Sequence, residues 1–177
     1  MFQLLNGSKK NQRGVSVIEL TVAIAIVAIL FVSVLGLGTF SFRVSQAGRQ
    51  HLEAVALGQE MLESLRNYRD SIPWNNNDIA NEYDGLGVVA AGSAFHLEKS
   101  ADTPPKWKLL AGSETVNGFV RQVVIENAYR DASDNIVSSG GSNDPLTKQA
   151  IVTITWTGNG QAREFEVETY LTNWEGL

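Results

Sequence analysis

Residues 20–42, LTVAIAIVAILFVSVLGLGTFSF, contain no charged side chain, and Thr21, Ser33, Thr39 and Ser41 are their only polar exceptions. A helix rising about 1.5 Å per residue would carry this run across roughly 34 Å, against a hydrocarbon core of about 30 Å. The run is therefore expected to span a bilayer. Lys9, Lys10 and Arg13 precede it, with no acid in the first fourteen residues. By the positive-inside rule that flank stays cytoplasmic, so the chain beyond Phe42 is expected on the exported side.

Away from the apolar run the balance is acidic. The 177-residue chain holds 14 Lys and Arg against 19 Asp and Glu, a formal net charge of −5. Removing the three leader bases leaves a net −8, which argues against a phosphate-backbone footprint and so against nucleic acid as a partner. There is no cysteine and there are two histidines. That rules out a disulfide framework, a cysteine nucleophile and a thiolate metal site, and leaves little for a zinc or iron centre. An exported domain without disulfides needs a sizeable core, which the remaining length permits.

Following the apolar run, Ala54, Leu57, Met61, Leu65, Tyr68 and Ile72 recur at steps of three and four, with Gln59, Glu60, Glu63, Arg66 and Arg69 between them. This is an amphipathic helix with one face that needs a partner. The spacing offers Arg66–Asp70 and Arg49–Glu53 as i,i+4 ion pairs. Pro73 then removes a backbone donor, and residues 74–77 (Trp-Asn-Asn-Asn) read as a turn. One long helix over Val17–Ser71 is expected, membrane-embedded in its first half.

Beyond it the period falls to two. Residues 94–98 and 107–110 are short strand candidates, and residues 119–128 (FVRQVVIENA) a stronger one. Residues 150–157 alternate Val152, Ile154 and Trp156 against Ile151, Thr153 and Thr155, and residues 164–171 alternate Phe165, Val167, Thr169 and Leu171 against Glu164, Glu166, Glu168 and Tyr170. Such alternation marks half-buried strands of an antiparallel sheet. Gly158, Asn159 and Gly160 supply the positive-φ residues of a tight hairpin. Residues 75–92 and 130–148 read as loops. The expected fold class is α+β, a long N-terminal helix packed by its second half against a C-terminal antiparallel sheet.

The segment KKNQRGVSVIEL (residues 9–20), a basic stretch ending in Gly14 and followed by apolar residues broken by Ser16 and Glu19, resembles the class III signal of type IV pilins and pseudopilins. The resemblance implies a pilin-like fold. It also implies cleavage by prepilin peptidase between Gly14 and Val15, N-methylation of Val15, and Glu19 as fifth residue of the mature chain. In filaments of this family the corresponding carboxylate neutralises the N-terminal amine of a neighbouring subunit. An acid inside an apolar helix is itself a functional signal, since it costs roughly 2.5–3.5 kcal/mol at a helix centre on insertion scales. Val15 stands where Phe or Met is commoner, and Gly36 where many major pilins have proline. Gly36 and Gly38 either weaken the helix, by up to about 1 kcal/mol each relative to Ala, or are small residues tolerated in a membrane helix.

More diffusely, residues 56–74 (ALGQEMLESLRNYRDSIPW), 118–131 and 154–174 resemble the helix end and sheet of minor pilins. The missing cysteines fit that group better than the disulfide-closed major pilins. The implied division is a cleaved leader (1–14), a transmembrane and filament-core helix (15–42), its amphipathic continuation (43–72) and an exported β-domain (73–177). Implied partners are prepilin peptidase, other pilin or pseudopilin subunits, the inner-membrane assembly machinery and the membrane itself. The precursor is expected in the cytoplasmic membrane, and the mature subunit in a surface pilus or a periplasmic pseudopilus.

Other motifs carry less. Ser45, Gln46 and Ala47 before Gly48 form a small-x-small site for ordinary signal peptidase, yet the apolar run is longer than an h-region and the helical pattern crosses the site. Gly85, Gly87 and Ala90 fit G-x-G-x-x-A without the strand, helix and acid a dinucleotide site requires. Asp131, Ser133 and Asn135 have the first ligand spacing of a calcium loop, but Ile136 takes the glycine position and no Glu closes it. A looser Ca²⁺ site from Asp131, Asp134 and Asp144 is the weak metal candidate. His51 and His96 lack partners, and no serine sits in a nucleophile elbow. Of the four tryptophans, Trp74, Trp107 and Trp156 are expected in the core and Trp174 outside it. The expected function is a structural subunit without catalytic residues or cofactor, a minor pilin of a type IV pilus-like filament. The alternatives are a minor pseudopilin of a type II secretion system and a membrane-anchored extracellular binding domain.

Overall fold

The computed structural model describes residues 16–174. Helix α1 (Val17–Ser71) is followed by β1 (Ser93–Lys99), β2 (Trp107–Ala111), β3 (Glu114–Val116), β4 (Phe119–Arg130), β5 (Ile136–Val137), β6 (Ser142–Gly158) and β7 (Gln161–Thr172). The strands form one antiparallel sheet in the order β2-β1-β4-β6-β7, with β3 and β5 also paired to β4. The α+β class and the bounds of the long helix match the sequence reading. The chain divides into two compact units, Met1–Ser45 and Gln46–Leu177.

In the first unit the described residues are helical from Val17, and residues 16–37 are all exposed. Val17, Ile18, Ile29, Phe31, Val32, Leu35 and Leu37 are each 66 % exposed or more. Three of the four polar exceptions turn inward on the helix. The Thr21 Oγ1 donates to the Ile18 carbonyl (2.8 Å), Ser33 Oγ to Ile29 (2.8 Å) and Thr39 Oγ1 to Gly36 (2.9 Å). Hydroxyls bonded back to helix carbonyls expose no unsatisfied donor, so the cylinder is apolar in effect as well as in composition. The helix continues without interruption through Gly36 and Gly38, and a Cβ at either would meet nothing within 4 Å.

In the second unit the predicted stripe is the buried one. Ala54, Leu57, Met61, Leu65 and Tyr68 are buried, Ile72 packs against them, and Gly58, Leu62 and Ser64 widen the face. The sheet supplies the opposing layer, with Leu97, Leu109, Val123, Ile125, Ala150, Val152, Ile154 and Leu171 in the same cluster. Each large side chain so buried contributes about 1.5–3 kcal/mol. Helix and sheet approach closely at Gly58, where an added Cβ would lie 2.9 Å from the Phe165 ring. The helix ends because Pro73 offers no N–H. The chain then turns with Asn76 N donating to the Pro73 carbonyl, as the Pro-Trp-Asn-Asn sequence predicts.

The last hairpin follows its turn chemistry. Gly158 pairs with Gln161 across Asn159 (φ 52°) and Gly160 (φ 74°), the two positive-φ positions of a two-residue turn. Three expectations need correction. Residues 130–148 are not one loop, because they hold β5 and the first part of β6, which pairs Ser142 with Arg130 and Asp144 with Ala128. The three-residue β3, absent from the sequence reading, pairs with β4 through Glu114–Arg121 and its neighbours. The proposed ion pairs do not form either. Arg66 NH1 lies 3.4 Å from Glu63 and Asp70 is taken by Arg69 at 2.7 Å, while Arg49–Glu53 is not among the ion pairs of the described residues.

Candidate functional site

The signal residues of the leader, Lys9, Lys10, Arg13, Gly14 and Val15, lie outside the described residues. Glu19 lies inside them, in the first turn of α1, where Leu20 N already donates to the Ser16 carbonyl (3.1 Å). A carboxylate in the first turn lies at the positive end of the helix dipole, a favourable position. Among the described residues no Lys or Arg lies within ion-pair distance of it. Val17, Ile18, Leu20 and Val22 around it are all exposed. The site is a single anionic group at the head of an uncovered apolar cylinder, suited to pairing with a cation while the cylinder packs against something equally apolar. By length and composition α1 can cross a membrane. Ser45, Gln46 and Ala47 lie within the unbroken helix.

The motifs of the β-domain have structural partners. Gly85 and Gly87 form a close packing contact and no phosphate loop. A Cβ on Gly85 would strike the carbonyls of Pro73 and Trp74, and one on Gly87 would come within 2.5 Å of the Trp74 ring. The same segment ties itself down through Gly85 N to Asn76 O and Gly87 N to Trp74 O (both 2.8 Å), while Leu86 and Val89 enter the core. Tyr68, fully buried, donates its hydroxyl to the Asp84 carbonyl at 2.7 Å. Burial, then the Asp84 and Asp78 charges, push its pKa up.

The three acids of the calcium candidate are each otherwise engaged. Asp131 Oδ1 accepts from the backbone N–H of Ser133 (2.8 Å) and Asn135 (2.9 Å). These bonds, Asn135 foremost, hold its carboxyl below the usual range. Asp144 Oδ2 accepts from Arg130 Nε at 2.7 Å, and Asp134 Oδ1 lies 3.6 Å from the same guanidinium. Burial alone would raise the Asp144 carboxyl, but hydrogen bonds from Arg130, Thr147 and Leu146 outweigh it and hold the pKa down. An arginine thus stands between two of the candidate ligands. Among the described residues no group of three His, Asp or Glu side chains is placed to hold a metal ion.

His51 lies edge-on to Phe165 (ring centroids 5.9 Å) and tilted to Trp156 (6.5 Å), whereas His96 stands in β1. Trp74 is buried with Nε1 donating to the Pro145 carbonyl (3.0 Å), Trp107 and Trp156 are half-buried, and Trp174 is 57 % exposed. This is the division expected from the sequence. Two buried cations were missed. Arg121 in β4 lies 2.7 Å from Glu114 and 3.3 Å from Glu60 of the helix, and so fastens α1 to the sheet. Lys148 in β6 is buried. Both occupy the core phase of their strands, and extending the Ala150, Val152, Ile154 alternation backwards by one step would have exposed Lys148.

The family signature described as prokaryotic N-terminal methylation motif matches residues 9–35, which covers the basic leader, Gly14, Val15, Glu19 and the first turns of the apolar helix. No curated protein and no solved structure matches the chain. The chain carries the class III signal of type IV pilins at the head of one long apolar helix, and with its antiparallel sheet domain it fits a type IV pilin-like or pseudopilin precursor.

Proposed function

We propose that the chain is a minor pilin, a structural subunit of a type IV pilus-like filament. One observation carries this reading: the methylation motif runs into a helix whose first half is apolar and exposed, while its second half is sealed by the sheet. A membrane covers such a helix in the precursor, and like helices cover it in a filament. Transfer between the two keeps the apolar surface out of water throughout.

In this reading prepilin peptidase cuts between Gly14 and Val15 and the new amine is methylated. Glu19 then lies opposite the Val15 amine of a neighbouring subunit. Charge neutralisation there removes the cost of an acid in an apolar bundle and fixes the axial register of the two helices. The transmembrane and filament-core segment is 15–42, the amphipathic continuation 43–72, and the acidic domain 73–177 faces outward and selects neighbours. The inner-membrane assembly machinery and other pilins are the partners, no cofactor is used, and no reaction is catalysed.

The test is incorporation of Glu19→Ala into filaments. The variant should insert and be processed as the wild type but appear in sheared filaments at a tenth of the wild-type level or less, a pairing loss of about 1.4 kcal/mol or more. Incorporation at the wild-type level overturns the pairing role of Glu19.

A further inference from the structure

Lys148 lies on the core-facing side of β6, two residues before fully buried Ala150, and its own exposure is 6 %. No carboxylate of the described residues lies within ion-pair distance of it. Instead its Nζ donates to Asn127 Oδ1 at 2.8 Å and points at the Val89 carbonyl at 3.3 Å. Asn127 is its directly opposite partner on β4, and the register shifts immediately beyond it, between Asn127 and Ala128. Burial lowers the pKa of the amine, with the Glu126 charge working the other way. An amine taken out of water is drawn toward its neutral form, in which the nitrogen lone pair is free to react.

The distances set the chemistry. With a carbonyl bond of about 1.2 Å, a nitrogen 2.8 Å from Oδ1 is no more than about 4 Å from Cγ of the carboxamide. A small rotation brings it to a near-attack separation of about 3–3.5 Å, and groups held in this way react as if at very high concentration.

We propose that Lys148 and Asn127 become joined by an intramolecular amide bond between β6 and β4. The Nζ lone pair attacks Cγ of Asn127, the Nζ–Cγ bond forms, the Cγ–Nδ2 bond breaks, and Nδ2 leaves as ammonia. Counted from the lysine ammonium, the products are a secondary amide and an ammonium ion, so protons balance and no oxidant, reductant or co-reactant is consumed. Glu126, next to Asn127, is the carboxylate whose charge acts on the amine. The bond ties two central strands of a cysteine-free domain at the point where their register slips. It is independent of whether the chain builds a pilus.

Tryptic mapping of the full-length protein, purified in detergent, tests this. Linkage makes Lys148 resistant to cleavage and yields a branched species in which 122–130 is joined to 131–163, about 17 Da lighter than the two peptides together. Fragmentation should place the branch between Asn127 and Lys148. Recovery of linear 122–130 and 131–148 at their unmodified masses overturns the proposal. Lys148→Arg should abolish the branch, and a branched species persisting in that variant also overturns it. If the variant does not fold, the wild-type map decides alone.

Discussion

The two halves of α1 share one backbone conformation and differ in what covers them. Residues 16–37 are exposed throughout, whereas Ala54, Leu57, Met61, Leu65 and Tyr68 lie at 8 % exposure or less beneath the sheet. Helix formation is therefore not what distinguishes the regions. The second half has a single apolar stripe because one partner, supplied by the same chain, approaches from one side. The first half is apolar all round, the pattern of a helix suited to surroundings that are themselves apolar all round, as in a bilayer or a helical bundle.

The contrast is broken most severely by removing a core side chain on one side only. Leu65→Ala should destabilise the β-domain by about 2–5 kcal/mol in urea unfolding followed by tryptophan fluorescence. The same truncation at Leu35, 67 % exposed, should leave that transition within about 0.5 kcal/mol of wild type. Equal effects at the two positions would mean that the halves are not distinct. Gly85→Ala comes next, at about 1–3 kcal/mol, because its Cβ meets backbone carbonyls that cannot rotate aside. Tyr68→Phe should cost about 1 kcal/mol by orphaning the Asp84 carbonyl, with no change in far-ultraviolet circular dichroism.

The smallest expected effect is electrostatic. Asp144 has a lowered carboxyl pKa in the folded protein, so its stabilising contribution is present above the unfolded carboxylate value of about 4 and is lost as pH falls through the folded value. Arg130→Ala should lower the thermal midpoint at pH 7 and cause less loss at pH 3, measured on the same protein in both buffers. A constant difference across that range would show that the guanidinium acts by packing alone.

What could be read in the sequence follows the range of the interaction responsible. The helix, its stripe and the Asn159-Gly160 turn depend on neighbours a few residues apart, and each was recoverable from spacing. The strands β3 and β5, of three and two residues, have no pattern of their own and exist because β4 offers an edge. The start of β6 hid behind Pro145 and a polar composition, with Trp74 Nε1 donating to the Pro145 carbonyl from 71 residues away. Asp70 was assigned to Arg66 on helical spacing, but the adjacent Arg69 reaches it first. The signal around Gly14 and Glu19 was legible because it is a linear motif, matched by the family signature over residues 9–35. The Lys148–Asn127 contact was not, because only strand pairing brings the two together.

In the proposed function the mature chain begins at Val15, ahead of the uncovered half of the helix. Mass spectrometry of the N-terminal peptide from membranes or filaments measures this directly. The proposed function requires N-methylated Val15 as the first residue. A mature chain beginning at Gly48 would contradict it by removing the apolar half altogether, and an intact Met1 would leave a plain membrane anchor in place of a pilin.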